Sequence, residues 1–73
     1  MSDKVKLFIY DDDGLTFEYV IKSLSDVFGW TIYQSEQIAL IAHYNGKALL
    51  KEGTQEEIEK YKDLISKTRL IVK

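Results

Sequence analysis

Lys4-Val5-Lys6-Leu7-Phe8-Ile9-Tyr10-Asp11-Asp12-Asp13-Gly14-Leu15-Thr16-Phe17 is the stretch whose reading decides the fold. It begins as an alternation of charged and apolar residues and then turns continuously apolar. That pattern predicts a strand with one face in a core and its far end covered. Asp11-Asp12-Asp13-Gly14 stops the strand. Thr16 is placed to cap a helix, and Phe17, Val20, Ile21, Leu24, Val27 and Phe28 follow at helical spacing. Glu18 falls in the first turn, where the helix dipole favours an anion. Gly29 fits the position just past the helix end, where a positive φ is often needed.

Further along, Thr31-x-x-Gln34 has the form of a capping box. It opens a second helix carrying Ile38, Ala39, Ile41, Ala42 and Asn45, with Gly46 as its stop. Lys47-Ala48-Leu49-Leu50-Lys51-Glu52 reads as a short strand, its lysines as solvated edge charges. Thr54-x-x-Glu57 is a second capping box, starting a third helix with Ile58, Tyr61, Leu64 and Ile65 inward. Thr68-Arg69-Leu70-Ile71-Val72 closes as a strand. The order is β-α-α-β-α-β. It predicts an α/β (α+β) fold, a two-layer sandwich with a three-stranded antiparallel sheet against three helices.

Length and composition bound the function. A chain of 73 residues allows one domain. We expect a short tail at residues 1–3 and a single domain over residues 4–73. There is no cysteine, and His43 is the one histidine, so disulfides, a thiolate nucleophile and a Cys- or His-rich zinc site are excluded. Stability rests on packing, for which eight Leu, eight Ile and nine aromatic residues provide the material. The net charge of -2 argues against a nucleic-acid partner. No apolar run approaches the ~18 residues of a membrane span, and Met1 to Lys4 is no signal peptide. The expectation is a cytoplasmic protein without cofactor or metal, contacting neither nucleic acid nor membrane.

Two groups of residues invite chemistry. The first is Asp11-Asp12-Asp13. Turns favour Asp and helix starts favour anions, which explains part of the run. Three adjacent carboxylates repel one another, however, so a cation site is the competing reading. For Mg²⁺, a strand ending in aspartates is similar to the start of a phospho-receiver domain. That fold needs about 120 residues and an Asp on a middle strand, where this chain has Lys51-Glu52-Gly53. An EF-hand is excluded because its ligands alternate along the loop. The other candidate cation is an ammonium group. The second group of residues is Ala42-His43-Tyr44-Asn45-Gly46-Lys47-Ala48. Its histidine either meets a helix C-terminus or accepts a hydrogen bond from a ligand. No serine has the context of a nucleophile, and nothing indicates an enzyme's substrate. Trp30 and the tyrosines read as core and rim.

Taken together, Tyr10-Asp11-Asp12-Asp13, then Gly14-Leu15-Thr16-Phe17-Glu18-Tyr19-Val20-Ile21, then His43-Tyr44-Asn45-Gly46-Lys47-Ala48, resemble the ClpS family over roughly residues 4–73. ClpS is the adaptor of the bacterial Clp protease that recognises N-degrons. The fold this implies also resembles the C-terminal domain of the ribosomal stalk protein. The resemblance implies that Asp11, Asp12 and His43 hold the free α-amino group of a protein substrate. It implies an apolar pocket for the first side chain at Leu15, Phe17, Val20, Ala39 and Ala42. Glu56 and Tyr61 fall where the family meets the N-terminal domain of its partner, a Clp AAA+ unfoldase. Asp11 stands where the family has Asn, and Ala39 where it usually has Met, so a wider pocket is expected. A docking module of the same fold, without N-degron binding, is the alternative reading. If a neutral His43 accepts from the ammonium, binding weakens as pH falls through ~6.5, the ordinary imidazole value.

Overall fold

A computed structural model describes residues 4–73; the tail expected at residues 1–3 lies outside the described residues. The elements run β1 (Val5–Tyr10), α1 (Phe17–Phe28), α2 (Ile32–Asn45), β2 (Lys47–Gly53), α3 (Gln55–Ile65) and β3 (Ile71–Val72). This is the predicted order. The three strands form one antiparallel sheet with β1 in the centre, in the order β2-β1-β3. No helix among the described residues is long and apolar enough to cross a membrane.

Helix boundaries follow local chemistry. The Thr16 hydroxyl accepts from the Tyr19 N–H, and Thr31 and Thr54 each form a reciprocal capping box with Gln34 and Glu57. Each such cap is worth about 1 kcal/mol. Gly29 (φ 70°) and Gly46 (φ 87°) end α1 and α2 in the left-handed region, which disfavours any side chain. In the second box, the Thr54 backbone N–H donates to Glu57 Oε1 at 2.9 Å. That bond, with the Thr54 hydroxyl second, holds the Glu57 carboxyl below the usual carboxylate range.

The core lies between the helices and one face of the sheet. Leu7 and Ile9 of β1 and Ala48 and Leu50 of β2 are buried there with Leu24, Ala42, Ile58, Ile65 and Leu70. Phe8 pairs with Leu49 but Leu7 with Lys51, so Leu50 is an extra residue in β2. This bulge reverses the phase of the strand. It turns Lys51 to the helix side, where its Nζ lies 5.6 Å from the Tyr61 ring centre. Lys47 Nζ likewise sits 4.7 Å from the Phe8 ring centre. The two lysines therefore cover aromatic rings and are more than solvated edge charges.

At one end of the molecule three rings stack. Phe28 lies between Trp30 (4.4 Å, 13°) and Tyr61 (4.8 Å, 19°). The Ser25 hydroxyl donates to the Trp30 carbonyl at 2.7 Å, tying down the tight α1–α2 connection.

The structure differs from expectation in two further places. Strand β3 starts at Ile71, three residues later than the sequence suggests. The Thr68 hydroxyl donates to the Ile65 carbonyl and accepts from the Leu70 N–H, while the Arg69 N–H is taken by the Tyr19 hydroxyl. These bonds curl residues 66–70 into a turn. Leu64 is not inward but 37% exposed, because Ile58, Tyr61 and Ile65 already span the buried arc of α3. On α2, Ser35, Ala39 and Ala42 form the buried stripe, and Ile41 and Asn45 are exposed outside it.

Candidate functional site

At the other end of the molecule the packing is left open. Where β1 ends and α1 and α2 face one another, a cavity of about 260 Å³ opens to the surface. Each wall follows from the local fold. Strand β1 brings Ile9 and Tyr10 to it, and the turn after β1 brings Asp11, Asp12, Asp13 and Leu15. The first turns of α1 bring Phe17 and Val20, one helical turn apart on the same face. The buried stripe of α2 contributes Ala39 and Ala42, and His43 follows at the rim. Leu70 completes the lining, positioned by the neighbouring Arg69–Tyr19 hydrogen bond that spans 50 residues of chain.

The floor is therefore apolar and the mouth carries acceptors. Asp12 is fixed by its own turn: Oδ1 accepts from the Gly14 N–H at 2.9 Å, and the Asp12 carbonyl accepts from the Leu15 N–H. Asp11 is anchored through its backbone, whose N–H donates to the Gly46 carbonyl at 3.0 Å. That bond joins the end of β1 to the end of α2. As a result Asp11 Oδ1 lies 3.8 Å from His43 Nδ1, within ion-pair distance but outside hydrogen-bond range. The Phe17 ring meets the imidazole edge-on at 6.3 Å. Among the described residues, no lysine or arginine lines the cavity.

Asp11, Asp12, His43, Leu15, Phe17, Val20, Ala39 and Ala42, all singled out in the sequence, share this one cavity. Asp13, part of the acidic run singled out in the sequence, lines it too, and three further lining residues were missed there: Ile9, Tyr10 and Leu70. Ile9 and Tyr10 were read only as a strand. Leu70 was read as part of β3, and no local signal distinguishes it. Glu56 and Tyr61 do not line the cavity. Glu56 is exposed in the first turn of α3, and Tyr61 is half-buried within the ring stack. No group of three or more potential metal ligands forms a cage among the described residues, the three aspartates included.

An apolar recess with two or three carboxylates and an imidazole at its mouth suits an amphipathic cation. An ammonium has three N–H donors and needs three acceptors, of which at least one supplies counter-charge.

The chain is similar to known proteins in fold and in sequence. The fold is similar to the structure of Agrobacterium tumefaciens ClpS2 bound to L-phenylalaninamide, with a TM-score of 0.87. That match covers 100% of this chain and 98% of the other at 17% identity, and so speaks for the fold. In sequence, 62 residues are 32% identical to the ATP-dependent Clp protease adapter protein ClpS of Cronobacter sakazakii (strain ATCC BAA-894). The match takes in 85% of this chain and 58% of that relative, so the chain spans little more than half the relative's length. Residues 1–70 match the family described as ATP-dependent Clp protease adaptor protein ClpS, and on that match the chain belongs to the ClpS family.

Proposed function

We propose that this chain is an adaptor, not an enzyme, that binds the first residue of protein substrates and delivers them to a Clp AAA+ protease in the cytoplasm. Residues 4–73 act as one binding domain. The observation that carries this reading is the pairing of an apolar cavity with a cation-accepting mouth. It is supported by family membership and by the ligand of the A. tumefaciens relative, which joins a free α-amino group to a phenyl side chain.

In this reading Asp11, Asp12 and His43 receive the α-amino group. Asp12 carries the counter-charge, its second oxygen left free of the Gly14 bond. A neutral imidazole nitrogen of His43 accepts, and Asp11, 3.8 Å from that imidazole, accepts beside it. Hydrogen bonds to a charged group contribute about 1.5–3 kcal/mol each. The first side chain enters between α1 and α2, against Leu15, Phe17, Val20, Ala39 and Ala42. Burying a Leu or Phe there contributes about 1.5–3 kcal/mol. Together the two halves reach about 8 kcal/mol, which is micromolar affinity. Ala39 leaves room where a longer side chain would narrow the pocket. Glu56 and Tyr61 mark the surface that meets the N-terminal domain of the unfoldase, on α3 and away from the substrate.

Fluorescence anisotropy with short peptides beginning with Leu, Phe, Tyr, Trp, Ile or Val tests this directly, with N-acetylated copies as controls. Micromolar binding abolished by acetylation is the expected result. If no free-amine peptide binds, the fold serves instead as a docking module without an amino-terminus site.

A further inference from the structure

The face of the sheet opposite the helices carries a second surface with a different character. Leu7 and Ile9 of β1 point into the core, so Phe8 and Tyr10 point outward. Cross-strand pairing sets Leu49 beside Phe8 and Ile71 beside Tyr10. Leu49 and Ile71 remain 42% and 45% exposed. The Lys73 backbone exchanges hydrogen bonds with Phe8 in both directions, which extends this edge by a residue. Two ammonium groups rest on the rings of the patch: Lys47 Nζ is 4.7 Å from the Phe8 centre and Lys73 Nζ 5.9 Å from the Tyr10 centre. Among the described strand residues, the side-chain carboxylate on this face is that of Glu52, which stands opposite Lys6 at the far end of β1 and is offset by it. An acidic chain thus presents a four-residue apolar floor flanked by two lysines that form no ion pair among the described residues.

We propose that this sheet face docks an extended acidic segment of a partner protein, one in which Asp or Glu alternates with Leu, Ile or Phe. Charge complementarity selects the acid. The lysines already stand at the height of the rings, where carboxylates of an overlying segment meet them while its apolar side chains cover Leu49 and Ile71. A period of two in the partner matches the pleat beneath it. A single-stranded nucleic acid suits the face less well. Bases need bare aromatic faces to stack on, and here ammonium groups occupy them. The net charge of -2 also repels a polyanion at long range. Tyr10 belongs to both this face and the substrate cavity, so a segment bound here lies next to a loaded substrate.

The test uses the full chain and a fluorescein-labelled, N-acetylated peptide of alternating Glu and Leu, whose blocked amine keeps it out of the cavity. Binding is read by anisotropy and mapped by amide chemical shifts. The expected result is binding with shifts at Phe8, Leu49 and Ile71. It weakens at least ~10-fold in a Lys47→Glu/Lys73→Glu variant and is absent for a copy with Lys in place of Glu. Affinity for L-phenylalaninamide stays unchanged. A Leu49→Asp variant gives the same loss by removing floor and adding like charge, so a misfolded double variant does not decide the matter. The proposal is overturned if the peptide does not bind, if charge reversal leaves its affinity unchanged, or if shifts fall at Asp12 and His43. Tighter binding of oligothymidylate than of the acidic peptide overturns it in favour of nucleic acid.

Discussion

The two ends of α1 are packed in opposite ways. At its C-terminal end Phe28 is clasped between Trp30 and Tyr61, with ring centres 4.4 and 4.8 Å away. At its N-terminal end Phe17 is 38% exposed beside an unfilled cavity of about 260 Å³. Interiors are normally packed to crystal density, and an unfilled space costs stability. In a chain of 73 residues, with little stability to spare, such an opening persists only because the rest of the helix is held firmly. The closed end carries rigidity, and the open end is where we propose recognition. Tyr19 links them, since its hydroxyl fixes the segment that delivers Leu70 to the cavity.

The sharpest way to break this division is at the stack. Phe28→Ala is expected to cost about 3 kcal/mol of unfolding free energy, measured by urea titration. The molecules that remain folded should keep their affinity for a Phe-initial peptide. A parallel fall in affinity of the folded fraction would mean that the two ends are not separable.

The converse experiment is at the mouth. Asp12→Asn retains an oxygen for the Gly14 N–H but removes the charge, and His43→Ala removes an acceptor. Each is expected to weaken peptide binding about tenfold to a hundredfold, equivalent to about 1.5–3 kcal/mol. The melting temperature should not move, because both side chains lie outside the core. Unchanged affinity in Asp12→Asn would remove the counter-charge role.

A smaller effect is expected where the two functions meet. Gly46 ends α2 at φ 87° and its carbonyl receives the Asp11 N–H. Gly46→Ala forces a side chain into the left-handed region at a cost of about 1–2 kcal/mol. Thermal unfolding should register that loss, with a modest drop in affinity as Asp11 shifts. A drop in affinity with no loss of stability would contradict the strain argument.

The smallest effect belongs to the α3 cap, remote from the cavity. The Glu57 carboxyl is held below its ordinary 4.5 by the Thr54 backbone N–H and then the Thr54 hydroxyl. A lowered folded value means that the ionised form is favoured by folding. Its contribution is present above pH 4.5 and is lost as pH falls through the lower folded value. Glu57→Gln keeps a cap acceptor but no titration. Its unfolding midpoint should therefore vary less with acid than that of the unmodified chain, while peptide affinity at neutral pH is the same for both.

How much of this was legible in the sequence depends on the range of the interactions. Thr16, Thr31, Thr54, Gly29 and Gly46 announced the helix ends because a cap bonds within four residues of itself. The aspartates and His43 were legible through their spacing and resemblance to a family. Leu64 and the late start of β3 were misread because periodicity fixes which residues share a face, not how wide a face its neighbours cover. The turn at residues 66–70 depends on Tyr19, about 50 residues away, and no local pattern carries that information.

By itself, then, the sequence determined the order of elements, their caps and the residue types available for binding a cation beside an apolar group. Those are matters of local hydrogen bonding and side-chain period. Only the tertiary structure decided that Ile9, Tyr10 and Leu70 join the cavity. It also brought Asp11 to 3.8 Å from His43, and the bulge at Leu50 set which lysines rest on which rings. The physical reason is that each of these depends on how sheet and helices close on one another, which is settled by long-range packing.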